Sequence, residues 1–234
     1  MRPVAKKLWR FELEGFDRLP TEGPAILCAN HVSFLDSAFL MVHVPRNISF
    51  VGKAEYMDSW KTKFLFPLMG MIPIDRGGGD KSQAALDTAE DVLQRGELFG
   101  IFPEGTRSRD GVLHKGRTGA ARLALKVSCP IFPVGIVGTR EIQPPDAKLP
   151  KLRRNCTIKV GSPINVERHR NRDEMHMVLR QITDELMFEI RALTGQEYRD
   201  RYAGKTAETE PTVVAKVAQI GDDHNDLVTA TAGR

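Results

Sequence analysis

A histidine and an aspartate five residues apart, His31 and Asp36, stand in the stretch Asn30-His31-Val32-Ser33-Phe34-Leu35-Asp36, just past a short apolar run. An imidazole held by a carboxylate is a general base. The carboxylate fixes the ring's tautomer and steadies its protonated form, and the other ring nitrogen is left to take a proton. Residues five apart on one continuous helix lie roughly 140° apart around its axis, so the pair can meet only if the helix starts between them. Ser33-Phe34-Leu35-Asp36 has the S-x-x-D form of a capping box, which predicts a helix beginning at Ser33 with His31 in the turn before it. Helical side chains lean toward the N-terminus, which brings the Asp36 carboxylate back toward the imidazole. Asn30 is placed to orient the turn through its amide. Taken alone, the heptapeptide also fits an ordinary turn histidine beside an aspartate that only caps a helix.

Two further blocks supply cations and glycines. In Phe102-Pro103-Glu104-Gly105-Thr106-Arg107-Ser108, Gly105 allows a tight turn and Arg107 offers a planar fork matched to phosphate oxygens. Gly70-Met71-Ile72-Pro73-Ile74-Asp75-Arg76 brings a second arginine, Arg76, just after a strand-like run. Lys53 is a third candidate in the same kind of position, and Arg109, Lys115 and Arg117 add positive potential. An arginine paired to Asp75, Glu104 or Asp110 is the plainer alternative. Two arginines, each following a buried strand of one sheet, favour a shared phosphate, because open α/β sheets bind ligands at the ends of their strands. No serine nucleophile is needed if the substrate brings its own hydroxyl. The apolar run containing Phe64, Phe66 and Met69 is either plain core or the wall of an acyl-chain tunnel or membrane-dipping surface.

The elements that must carry these residues alternate. Strands are expected at Ala25–Ala29, 48–51, Met71–Ile74, 98–102, Ile131–Val137 and 156–160. Between them lie helical patterns: one opened by the capping box at Asp80 and closed by Gly96, one over 118–127, and a long amphipathic one over 173–193. The alternation predicts an α/β fold, a single domain with a mostly parallel central sheet flanked by helices. That domain is expected over 1–202, and 203–234 reads as a mobile C-terminal tail rich in Ala, Thr, Lys, Glu and Asp. There is no internal repeat.

At 234 residues, 41% apolar and 27% charged, the chain has the makings of one sizeable core. A net charge of +4 gives no argument for nucleic acid. Arg2, Lys6, Lys7 and Arg10 precede any acidic residue and interleave with Leu8, Trp9 and Phe11, which fits either a membrane-surface segment over anionic lipid or a solvated helix. Cys28, Cys129 and Cys156 lack metal-like spacing and read as reduced, buried small side chains; no metal site is expected. No signal peptide is apparent. The apolar stretch 24–45 is not read as a span, because Asn30, His31, Ser33 and Asp36 would fall at its centre.

In this order, the blocks resemble those of the glycerophospholipid acyltransferase family, of the lysophosphatidic-acid (1-acyl-sn-glycerol-3-phosphate) acyltransferase type. The match consists of N-H-x4-D at Asn30 to Asp36, G-x-I-x-[IV]-D-R at Gly70 to Arg76, F-P-E-G-T-R-S at Phe102 to Ser108, and a V-P-V-type block around Pro133 and Val134. It covers about 25–139.

The resemblance implies transfer of a fatty acyl group from an acyl-CoA or acyl-carrier-protein thioester to a glycerol hydroxyl, with no cofactor beyond that co-substrate. His31 would be the base and Asp36 its partner. Arg76 and Glu104, Gly105, Thr106 and Arg107 would help bind the acceptor. Pro133 and Val134 would shape acyl binding, and Lys115-Gly116 matches the family's basic-Gly pair. The expected acceptor is 1-acyl-sn-glycerol-3-phosphate, with glycerol-3-phosphate or another lysophospholipid as alternatives. A non-catalytic anionic-lipid-binding protein and a hydrolase acting on water are the readings from other classes. The expected setting is the cytoplasmic face of the cell membrane. Attachment there would be peripheral, because the segment before Pro20 is basic and amphipathic rather than long and apolar.

Overall fold

The computed structural model describes residues 2–53, 71–74, 81–145, 147, 149–169 and 175–204. Arg76, Phe64, Phe66 and Met69, and all of the expected 203–234 tail but its first two residues, lie outside the described residues. The chain divides after Ala203 into a first unit, which holds every element named below, and a second, Gly204–Arg234.

Among the described residues nine strands form: β1 (Arg10–Glu14), β2 (Ala25–Ala29), β3 (Ile48–Lys53), β4 (Met71–Ile74), β5 (Leu98–Ile101), β6 (Leu113–His114), β7 (Ile131–Val137), β8 (Asn155–Val160) and β9 (Tyr198–Arg199). The α-helices among the described residues are α1 (Arg2–Leu8), α2 (Leu35–His43), α3 (Lys81–Gln94), α4 (Gly119–Val127), α5 (Thr139–Ile142) and α6 (Met175–Thr194). Seven strands make one sheet in the order β1-β8-β7-β2-β5-β3-β4, and β6 and β9 pair separately. All neighbours in the large sheet are parallel except β7 and β8, whose antiparallel junction reverses β8 and β1 together. The fold is thus α/β with a mostly parallel sheet flanked by helices.

β2 is buried along its whole length, as a central parallel strand must be when both faces are covered. Its alternate residues feed two cores. Ile26 and Cys28 pack with Phe99, Ile131 and the apolar stripes of α3, α4 and α6. Ala25, Leu27 and Ala29 pack with Phe39 and Leu40 of α2, Phe132 and Val134.

The two edges are guarded differently. β4 contains Pro73, a residue an edge strand tolerates. β1 exposes Arg10, Glu12 and Glu14, charges that discourage further pairing. This strand corrects the N-terminal expectation. The segment is helix only to Leu8, and Arg10-Phe11-Glu12-Leu13-Glu14 then follows the period-2 rhythm of a strand against β8.

Candidate active site

β2, β5, β3, β4 and β7 all point the same way, so the residues just past their C-terminal ends gather on one edge. His31 follows β2, the 102–108 block follows β5, and Lys53 ends β3. Arg76 follows β4 in sequence but is outside the described residues.

Asn30 anchors the turn. Its side-chain amide donates to the Ile136 carbonyl at 2.9 Å and its carbonyl oxygen accepts the Ile136 N–H at 2.8 Å. Both bonds are buried, so the end of β2 is bolted to β7. The turn then reverses the chain, and Asp36 becomes its hub. One Asp36 oxygen, Oδ2, accepts the N–H groups of Val32 and Ser33, each at 2.8 Å, and lies 2.9 Å from His31 Nδ1. Ser33 Oγ accepts the Leu35 N–H at 3.3 Å rather than that of Asp36. The regular helix consequently begins at Leu35, two residues later than the capping pattern predicts, although Phe34 already has helical angles.

With two backbone N–H groups already donating to Oδ2, the ring meets that oxygen as a third donor through Nδ1–H, the tautomer that leaves Nε2 as the acceptor nitrogen. No described residue bonds His31 Nε2, and the side chain stays 18% exposed. That leaves a basic nitrogen open to an incoming group while Asp36 is fully buried. The imidazole lies flat on the Phe102 ring, with centroids 3.9 Å apart and planes 12° apart. Phe102 in turn stacks on Phe50 at 5.5 Å. The Phe50 ring occupies the space where any side chain on Gly100 would stand, a Cβ there falling 2.1 Å from it. The base is thus propped by an aromatic column rising out of the core.

Glu104 faces inward. The resemblance implied that it helps bind acceptor, yet it is fully buried and both its oxygens are taken, by the N–H of His31 at 3.1 Å and that of His114 at 3.0 Å. Its role in the geometry is to hold the backbone of His31. The Ser108 N–H holds the His31 carbonyl at 2.7 Å from the same loop. Burial, helped by the nearby charges of Asp36 and Asp110, pushes the Glu104 carboxyl up to about 7, against the pull of its two backbone donors.

That value carries a sign. The unfolded group has its ordinary value of 4.5, so between about pH 4.5 and 7 the folded state binds a proton the unfolded chain has lost. The contribution of this site to stability is full below about 4.5 and is lost as pH rises through about 7. We expect a Tm difference between the protein and Glu104→Gln that shrinks as pH rises across this window, because glutamine has no proton to lose. A difference that stays constant with pH would assign the titration elsewhere.

The remaining candidates separate. Gly105 takes φ +77° in the turn, and a Cβ there would come within 2.9 Å of Arg117 Nε. Thr106 is exposed, and Arg107 is half-buried with no hydrogen-bond or ion-pair partner among the described residues. Arg107 pairs with neither Glu104 nor Asp110. Asp110 is instead engaged by Ser108, His114 and Arg199. Lys115, expected near the phosphate, is turned to Asp200 at 2.9 Å. Pro133 and Val134 are buried within β7, Val134 opposite Ala29 in the core. All three cysteines are free and buried, and desolvation pushes the Cys129 and Cys156 thiols up to about 12, so they are inert. No metal-holding group of side chains occurs among the described residues.

Sequence reasoning missed the brace on the 104–117 loop. It is supplied by the segment after α6: Tyr198–Arg199 pairs with Leu113–His114, and Arg199 reaches Asp110 at 3.1 Å. Nothing in the local pattern of 195–202 announces a partner some 85 residues away.

A family model described as Acyltransferase matches residues 10–137, more than half the chain. A chloroplastic 1-acyl-sn-glycerol-3-phosphate acyltransferase of Arabidopsis thaliana is 27% identical over 158 residues, 67% of this chain and 44% of that protein. The alpha 1-acyl-sn-glycerol-3-phosphate acyltransferase of Mus musculus is 26% identical over 159 residues, 68% of this chain and 56% of that protein. The chain thus spans about half the length of the curated relatives it matches. Among solved structures, the 1-acyl-sn-glycerophosphate (LPA) acyltransferase PlsC from Thermotoga maritima shares the fold. Its TM-score is 0.62 at 23% identity, covering 78% of this chain and 73% of that one.

Proposed function

The chain belongs to the Acyltransferase family, and on that premise we propose that it moves a fatty acyl group from an acyl-CoA or acyl-carrier-protein thioester to the free hydroxyl of 1-acyl-sn-glycerol-3-phosphate, in phospholipid biosynthesis. The observation that carries this reading is the His31–Asp36 pair at 2.9 Å, with no described residue on Nε2, held by the loop that bears Arg107, which has no partner among the described residues. The names of the relatives support the acceptor.

The acceptor hydroxyl gives its proton to His31 Nε2 as its oxygen attacks the thioester carbonyl. Asp36 stabilises the imidazolium so formed. The tetrahedral adduct collapses, the C–S bond breaks, and the thiolate takes the proton back from Nε2, so the base is restored and no covalent enzyme intermediate forms. Arg107 grips the acceptor's phosphate throughout, and Arg76 is proposed to join it. The acceptor is a membrane lipid, and the protein works peripherally at the cytoplasmic face over anionic lipid. No described helix is long and apolar enough to cross a membrane.

The test is thiol release from palmitoyl-CoA by the purified protein, with and without 1-acyl-sn-glycerol-3-phosphate. Release that depends on the acceptor is expected. Acceptor-independent release would mark a hydrolase, and none at all a lipid-binding protein. Arg107→Ala should raise the acceptor KM about 10- to 100-fold, since a charge-assisted bond contributes about 1.5–3 kcal/mol. An unchanged acceptor KM would remove the phosphate role.

A further inference from the structure

We propose that α1 and the β7–β8 connection form one basic, leucine-tipped plate by which the protein seats its active-site edge on an anionic bilayer. The proposal rests on the reading above that the acceptor lies in a membrane, and it names the surface that meets it.

Topology places the plate. β7 ends on the same edge as His31, and β8 starts there because it runs antiparallel, so the connection between them leaves and returns at that edge. β1 runs with β8 and pairs Arg10 with Asn155, which puts α1 beside this connection. The two pieces are tied together. The Trp9 indole N–H donates to the Lys151 carbonyl at 2.8 Å, the Arg153 N–H to the Leu8 carbonyl at 2.7 Å, and the Arg10 N–H to the Arg154 carbonyl at 3.0 Å. They are also tied to the site. The Lys151 N–H donates to the Ile142 carbonyl at 2.7 Å, and Ser33 Oγ donates to the carbonyl of the next residue, Gln143, at 3.1 Å. Arg153 holds a left-handed φ of 56°, unusual without glycine.

The chemistry of the plate selects its partner. Leu149 is 80% and Leu152 56% exposed, large apolar side chains that water does not favour. Lys6, Lys7 and Arg10 on one piece and Lys151, Arg153 and Arg154 on the other are all exposed. Neither 2–11 nor 147–154 contains an acidic residue. Glu141, at the other end of the connection, is exposed as well, and the leucines protruding among the cations of these two stretches match an interface with apolar chains below and anionic head groups above. Trp9 lies among them, a side chain suited to that depth.

The experiment is co-sedimentation of the full chain with phosphatidylcholine vesicles and with phosphatidylcholine–phosphatidylglycerol vesicles. Binding to the anionic vesicles at least 10-fold above that to neutral ones, weakened by salt, is expected. Leu149→Asp with Leu152→Asp, and separately Lys151→Glu with Arg154→Glu, should each lower it at least 10-fold while leaving transfer between short-chain, water-soluble substrates unchanged. Variants that bind as the parent does, or a parent indifferent to lipid charge, would overturn the plate. His31→Ala should bind vesicles normally, so a failure of acyl transfer and a failure of docking read out separately.

Discussion

His31→Ala should lower kcat for acyl transfer about 10³-fold, within the 10²- to 10⁴-fold range of a lost general base, and leave the fold standing. The reasoning is geometric. Among the described residues the imidazole is the one group at the site with an accessible ring nitrogen whose other nitrogen is fixed by a buried carboxylate. Removing it leaves the hydroxyl to attack with its proton still attached, a barrier higher by about 4 kcal/mol. The structural cost is modest, because Asp36 keeps two of its three donors, the N–H groups of Val32 and Ser33. The backbone of residue 31 also keeps its bonds to Glu104 and Ser108. The check is steady-state transfer beside a thermal melt. A variant that melts normally and transfers near-normally would end the assignment of His31 as base.

What the sequence made legible was local. Ala25–Ala29, Met71–Ile74 and Ile131–Val137 occupy the strands their apolar runs predict, because such runs have one place to go in a sheet covered on both faces. The meeting of His31 and Asp36 was legible too, because five residues with a helix start between them allow only one close approach. The long-range side of the site was not. Glu104 looked like a ligand residue because it sits among glycine, threonine and arginine. Only the arrival of His114 and His31 on either side makes it an internal staple. Lys115 looked free because its partner, Asp200, is far along the chain. β1 was hidden because Arg10 closes a run of terminal cations that reads as one segment, and the strand becomes visible only with β8 beside it. A pattern shows what a residue can do, and tertiary neighbours decide which of those things it does.

Asp36→Asn gives the sharper test of how the base is held. The amide has the same shape, and two N–H donors, of Val32 and Ser33, already point at Oδ2. Asparagine must therefore place its oxygen there, which keeps the turn and the start of α2. What disappears is the negative charge beside Nδ1. The ring can still donate to the amide oxygen, but the imidazolium formed during attack loses its counter-charge in a buried setting. A kcat lower by about 10²- to 10⁴-fold is expected, with both KM values little changed. Asp36→Ala differs in kind. It strands two backbone donors and Nδ1 without an acceptor and should destabilise the fold by about 3 kcal/mol or more. Asp36 acts through His31, so its charge is worth nothing once the ring is gone. In the His31→Ala background, Asp36→Asn should leave kcat where it was, a non-additivity expected of groups that work as one unit. If the two losses multiplied instead, Asp36 would have a catalytic task independent of the imidazole, and the dyad would have to be abandoned in favour of two separate functions.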